Sequence, residues 1–314
     1  MHALDRQTAA TVMMIRPVAF AGNPQTQASN SFQQRDSGAV DAANQAAALH
    51  EFDALAEALQ HAGVTVHVFD DTPEPHTPDS IFPNNWVSFH ADGTAVLYPM
   101  LAENRRLERR MDLLEALGAG HRFHTRRVID LTRHEHGGRY LEGTGSLVLD
   151  RMHRVAYACV SPRTDLDVLG DFAQQLDYDI VAFEAHDANG AAIYHTNVLM
   201  SVGERFAAVC LDAIRADERT AVLDQLRATG REIVELSLQQ MAAFAGNMLE
   251  LGSSNTGSVI AMSACAYDAL TAQQRQTLVA HSGPIVAVPI PTIERLGGGS
   301  VRCMLAEVHL PKQN

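Results

Sequence analysis

The chain has 314 residues, 46% hydrophobic and 19% charged, which is an ordinary globular composition. No run of about 18 apolar residues occurs, so no membrane-spanning helix is expected. A net charge of −13, from 24 basic and 37 acidic residues, argues against the concentrated basic face that nucleic-acid binding requires.

The N-terminal stretch MHALDRQTAATVMMIRP carries a short apolar segment, Val12 to Ile15. A secretory h-region is longer and ends in a small-residue cleavage site. The segment therefore reads as a first strand, and a cytoplasmic protein is expected. Asn44 to Gly63 has apolar residues at helical spacing and a glycine stop, and AGVTVHVFD then reads as a strand. FPNNWVSFHADGTAVLYP is two strands about an Asp-Gly turn. A helical pattern follows around Arg105 to Leu117. Its Arg105, Arg106, Arg109 and Arg110 suit the wet face of a helix starting near Ala102, diluted by Glu103 and Glu108.

The same alternation continues. GTGSLVLDRMHRVAYACVS, HTNVLMSVGERFAAVCLDA and AGNMLELGSSNTGSVIAMS each read as a hairpin. Helical patterns follow at Leu166 to Leu176, Asp217 to Thr229 and Thr271 to His281, with strands in REIVELS and SGPIVAVPI. VRCMLAEVHLP resembles the start of each hairpin segment. Aligned on the residue before the strand, the five segments register Asn85, Ser146, Asn197, Asn247 and Cys303. Their spacing of roughly 50–60 residues marks a repeated supersecondary unit. The unit is strand, strand, helix, strand, five times over, in one domain spanning 1–314. Radial modules place equivalent residues around one axis. Asn85, Glu142, His195, Asn197 and Cys303 are thus expected to converge on a central cavity.

The four cysteines are scattered, with no CxxC pair, which argues against a disulfide framework or a zinc site. Cys159 and Cys210 sit in apolar runs and read as buried small hydrophobes, and Cys265 follows another such run. Cys303 lies after the glycine-rich turn GGGSVRC, as either a strand residue or an exposed nucleophile. A thiol needs a base or cationic neighbour to form a thiolate. His195, in AIYHTNVLM, is placed at a strand start and could transfer the proton. Glu142 precedes a Gly-Thr-Gly turn, where backbone can approach a ligand closely, and could orient the histidine or hold a substrate N–H. His134-Glu135-His136 resembles a metal tract without a third ligand. No HExxH, P-loop, GxGxxG or GxSxG motif is present, so no metal and no cofactor are expected.

LEGTGS, HTNVLM and GGGSVRCM together resemble the guanidino-group modifying superfamily, also called the amidinotransferase or arginine deiminase superfamily. GNPQTQASNSFQ, DSIFPNNWVSFH and FAGNMLEL are most similar to the bacterial citrulline utilization hydrolases. The resemblance implies an α/β fold, a five-bladed ββαβ propeller (the pentein fold) around a central active-site cavity. It also implies Cys303 as nucleophile, His195 as proton shuttle and Glu142 as the third catalytic residue. Asn23, Asp79, Asn84, Asn85, Asn197, Arg163 and Arg302 are candidates for substrate binding. Arg16 and Arg35 join the two latter arginines as possible carboxylate partners. Arginine deiminases carry aspartates where this chain has Asn85 and Asn197. Asparagine keeps the shape, removes the charge and offers both a donor and an acceptor, which suits a neutral ureido group. The expected reaction is therefore hydrolysis of L-citrulline to ornithine, carbon dioxide and ammonia. The alternatives are arginine deiminase, arginine dihydrolase, dimethylarginine hydrolase or a non-catalytic pentein binding module. The expected partner is a small amino-acid substrate, with no nucleic acid and no membrane, and a homo-oligomer left open.

Overall fold

A computed structural model describes residues 6–312. Fifteen strands form five three-stranded sheets among the described residues. In chain order they are β1 (Thr11–Arg16), β2 (Thr65–Asp70), β3 (Val87–Phe89), β4 (Thr94–Leu97), β5 (Arg127–Asp130), β6 (Val148–Asp150), β7 (Val155–Cys159) and β8 (Asp179–Phe183). Then follow β9 (Met200–Val202), β10 (Phe206–Val209), β11 (Glu232–Glu235), β12 (Leu249–Ser253), β13 (Gly257–Ser263), β14 (Ile285–Val288) and β15 (Ala306–Glu307).

Each sheet has the same plan. A short inner strand pairs antiparallel with a middle strand, as Val87 opposite Leu97 or Val148 opposite Tyr157. The middle strand then pairs parallel with an outer strand. A parallel neighbour needs a crossover, and a helix supplies it. Helix Leu166–Leu176 serves the β6–β7–β8 sheet. Asp165 caps it by accepting from Asp167 and Val168 N–H, and it buries Val168, Leu169, Phe172, Ala173 and Leu176. The fifth sheet joins the two ends of the described chain. β15 pairs antiparallel with β1, Val12 opposite Glu307, and β1 pairs parallel with β2. This closes a five-bladed ββαβ propeller.

Inner and middle strands are buried almost throughout, whereas the outer strands show residues to solvent along their length. Position relative to the axis accounts for this, since inner strands have blades on both sides. It also explains why inner strands read as short apolar runs rather than alternating patterns.

Two expectations change on contact with the fold. His195 does not begin a strand; it stands just before a one-turn helix, Thr196–Leu199. A four-residue turn carries no period by which a sequence could declare it. The arginine cluster is not on the wet face of a helix from Ala102. Glu103–Glu108 is a tight helical segment, and the regular helix starts at Met111. Three residues per turn set Arg105 and Glu108 on one side, and both point inward and are buried. His134-Glu135-His136 holds the frame: Glu135 accepts from Arg109 and from Met100 N–H, and His134 faces Asp171 at 2.7 Å. No group of three or more metal-ligating side chains occurs among the described residues.

Candidate active site

One-turn helical segments precede four of the five inner strands: Pro83–Asn85, Gly143–Ser146, Thr196–Leu199 and Val301–Met304. The remaining blade enters through Phe244–Met248, where Phe244 takes φ 60°. These entries carry the register positions found in the sequence and gather them at the axis. Glu142 is 0% exposed, His195 1% and Cys303 3%. The Gly-Thr-Gly turn makes the approach possible. A Cβ on Gly143, at φ +48°, would stand 2.2 Å from Asn84 O. One on Gly145 would stand 2.4 Å from Asn85 Nδ2 and 2.6 Å from His195 Nδ1. Only glycine leaves that room.

His195 Nε2 lies 2.9 Å from Glu142 Oε2. The other carboxylate oxygen, Oε1, accepts from Leu101 N–H at 3.0 Å, and Arg163 Nη1 donates to Oε2 at 3.3 Å. Burial works to raise Glu142, but Arg163, His195 and Arg105 outweigh it and hold the carboxyl well below the usual range. An ionised carboxylate only accepts, so Nε2 carries the hydrogen and Nδ1 keeps its lone pair. Burial pushes His195 down to about 4 against the pull of Glu142, so the ring is neutral at neutral pH.

The sulfur of Cys303 shares a small cavity with His195. It receives Asn197 Nδ2 at 3.4 Å and Asn247 Nδ2 at 3.3 Å. The glycine-rich turn is firmly built: Gly298, at φ 63°, ends helix Pro291–Gly297, and its carbonyl accepts from Tyr194 OH and Asn30 Nδ2. The opposite wall is ionic. Arg105 donates to both oxygens of Glu108 at 2.9 and 3.0 Å, to Asn85 Oδ1 at 2.9 Å, and lies 3.6 Å from Asp79. Burial opposes the charge on Arg105, but Glu108, Asp79 and Glu142 keep it protonated. Burial raises Asp79, against Arg105 and Asn23, and pushes Glu108 up to about 8 against the pull of Arg105.

The expected site residues fall into two groups. Cys303, His195, Glu142, Asn85, Asp79 and Arg163 are brought together: Cys303 and His195 line the cavity with Asn85, Asp79 and Arg163, and Glu142 backs the histidine. Asn197 touches the sulfur. Asn23 is fully buried and donates to Asp79 at 2.8 Å. Asn84 accepts from the Asn85 amide at 3.1 Å. Arg302 stands apart. It pairs with Glu307 at 3.1 Å and lines a second, polar cavity further along the inner strands. Arg16 pairs with Asp53 at the surface, and Arg35 is exposed. Among the buried polar atoms with no protein partner are Asp79 Oδ1, Asn84 Nδ2 and Asn197 Oδ1. Sequence reasoning did not assign a role to Arg105, Tyr194 or Asn247. For Arg105 the available signal was Glu108 three residues on, and for Asn247 its place in the five-fold register.

Five ββαβ blades around a buried Cys, His and Glu define a pentein-fold enzyme of the guanidino-group-modifying class. Residues 16–310 match the family described as N,N dimethylarginine dimethylhydrolase, eukaryotic, and the chain belongs to that family. Among solved structures, the apo form of ArgZ, an arginine dihydrolase from the ornithine–ammonia cycle in cyanobacteria, is 17% identical with a TM-score of 0.73. The match covers 96% of this chain and 41% of that one, so this chain spans about two fifths of the full-length relative. The N-terminal domain of an ArgZ variant covalently bound to a reaction intermediate is 18% identical, with a TM-score of 0.72, over 96% and 99% of the two chains. A dimethylarginine dimethylaminohydrolase variant carrying an adduct with S-methyl-L-thiocitrulline is 16% identical, with a TM-score of 0.64, over 95% and 99%. At such identities the likeness is one of fold. No curated protein matches the chain.

Proposed function

We propose that the chain is a cysteine hydrolase that cleaves the ureido group of L-citrulline. The observation that carries this reading is the surround of the Cys303 sulfur: two neutral amides touch it, while Glu142, the carboxylate behind His195, is already committed to Arg163 and His195. A planar head bound here meets amides rather than a free carboxylate. His195 Nδ1 takes the thiol proton as Cys303 attacks the ureido carbon and passes it to the amine that leaves, so that an S-carbamoyl enzyme remains. Nδ1 then takes a proton from a water that attacks the carbonyl of this intermediate; the C–S bond breaks, the sulfur takes that proton back, and the carbamate released loses carbon dioxide to give the second amine. Net, citrulline and one water give ornithine, carbon dioxide and ammonia. Glu142 holds the imidazole with Nε2–H toward it. Asn197 Oδ1, without a protein partner, accepts an N–H of the ureido group, and Asn84 and Asn85 fix the plane from the other wall. At the amino-acid end, Asp79 Oδ1, oriented by Asn23, takes the ammonium, and Arg163 takes the carboxylate.

The family match favours a second reading, in which the same residues act on a guanidinium: a dimethylarginine hydrolase, or an arginine dihydrolase acting twice. Release of ornithine and ammonia from citrulline, arginine, methylarginines and agmatine separates them. Citrulline should have the highest kcat/KM. Asn85→Asp and Asn197→Asp should each cut citrulline turnover by roughly tenfold to a few hundredfold, since an unmatched buried hydrogen bond costs about 1–3 kcal/mol. Guanidinium ligands should bind relatively better to both variants. Efficient conversion of arginine by the unaltered enzyme, with citrulline a poor substrate, would replace the first reading by the second.

A further inference from the structure

Asn247 is the register position of its blade, and no step of the scheme above passes through it. It is fully buried, and both ends of its amide are in use. Nδ2 lies 3.3 Å from Cys303 Sγ and 3.0 Å from Asn197 O, and Oδ1 accepts Arg302 N–H at 3.0 Å. One side chain therefore ties together the strand entry that carries Asn197, the turn that carries the nucleophile, and the sulfur itself. Asn197 Nδ2 reaches the same sulfur at 3.4 Å.

A buried thiolate without donors is costly, because its charge has lost water. Cys159 illustrates the cost. It is as deeply buried, its sulfur donates to the Ile193 carbonyl, and burial pushes its thiol up to about 12 against hydrogen bonds from Thr196 and its own backbone. At Cys303 the direction is reversed: two N–H groups point at the sulfur. The imidazole beside it is hydrogen-bonded to Glu142, not to Cys303.

Resting on the reading of Cys303 as nucleophile, we propose that Asn247 is a catalytic residue which, with Asn197, supplies the hydrogen bonds that hold the Cys303 thiolate. The charge that forms on sulfur is then met by two neutral amide donors. Charge-assisted hydrogen bonds of this kind are about twice as strong as neutral ones. Because Asn247 also fixes the Arg302 N–H, the donor is pinned relative to the turn it serves.

The test is the rate of iodoacetamide labelling of Cys303, resolved by peptide mass spectrometry and followed against pH, on full-length folded protein. Asn247→Leu removes both functions of the amide. Asn247→Asp keeps an acceptor for Arg302 N–H and removes the donor to sulfur. Both should slow labelling at pH 7 by about tenfold or more and move its pH midpoint upward by about a unit, a tenfold change per unit being the thermodynamic scale. Asn197→Leu should shift it in the same direction. Unaltered labelling in either Asn247 variant overturns the proposal. Should the leucine variant fail to fold, the aspartate variant still decides. If Cys303 of the unaltered protein labels no faster than the buried Cys159, the nucleophile reading itself fails, and this inference with it. Unchanged labelling in the Asn247 variants beside fast labelling in the parent removes only Asn247.

Discussion

The propeller axis carries two polar clusters, and they are built in opposite ways. Further along the inner strands, Gln7 is fully engaged: its amide donates to Leu149 O and Val202 O at 2.9 Å, and its oxygen accepts from Arg151 N–H at 2.9 Å. Beside it Glu307 receives Arg302, with Arg151 and His309 close by. At the strand entries, by contrast, Asp79 Oδ1 and Asn197 Oδ1 have no protein partner. An unsatisfied buried polar atom costs about 1–3 kcal/mol, so the two ends differ in what they do with polarity. One end spends it on joining three blades and the N-terminal segment. The other keeps acceptors in reserve around a thiol, a neutral imidazole and two arginines. Stability resides in the saturated cluster and chemistry in the unsaturated one.

The sharpest way to break this contrast is Cys303→Ser. Turnover should vanish, while the denaturation midpoint stays close to that of the parent, since serine is smaller and polar at an already polar site. Full activity would end the covalent mechanism. Next comes His195→Ala, for which steady-state kinetics should give a loss of about 100-fold or more, the usual scale of general acid–base catalysis. The same variant tests the electrostatics. Folded His195 titrates near 4 against an ordinary 6.5, so between those values the unfolded chain takes up a proton that the fold refuses. Its contribution to stability is whole above about pH 6.5 and drains away as pH falls toward 4. The alanine variant should therefore show a shallower decline of unfolding midpoint over that window.

Much of this site was legible beforehand because its residues sit beside glycines and share one register. Glu142 before GTGS and Cys303 after GGGS each announce a close backbone approach, and the fold shows it at Gly145 and Gly299, whereas His195 has no glycine beside it and stands out by lying next to the register position Asn197. Helix Leu166–Leu176 was legible to the residue because its apolar spacing and its capping aspartate agree. Arg105 was not. A run of arginines looks solvated until a partner three residues away is seen to neutralise it in a tight turn. Nor could the one-turn helices be told from strand starts, for four residues hold no period. Arg302 illustrates a further limit. It adjoins Cys303, yet consecutive residues of that turn point to different cavities, and sequence adjacency says nothing of direction.

Gln7→Ala probes the saturated end. It strands two carbonyls and one N–H in the interior, so chemical denaturation should report a loss of roughly 1–3 kcal/mol. kcat/KM should stay within about twofold, because no atom of Gln7 reaches the triad cavity and surplus stability is not what sets a rate. A large drop in kcat with intact stability would mean that the two clusters are coupled through the Arg302–Cys303 turn, and the division drawn above would fail.

The smallest effect belongs to the thiol outside both clusters. Cys265 lies exposed on the short helix Ala264–Ala269, where partial burial with Glu294 and Asp268 raises its thiol above the ordinary value. Cys265→Ala removes little buried area and no hydrogen bond that either cluster uses, so stability should move by no more than about 0.5 kcal/mol. Turnover should be unchanged within error, and total thiol labelling should lose only its slow, surface component. The value of so slight a variant is that it isolates the sulfur at the axis. If activity fell with Cys265 while Cys303 still labelled rapidly, reactivity of the axial thiol would have been separated from catalysis, and the unsaturated cluster would lose its claim to the chemistry.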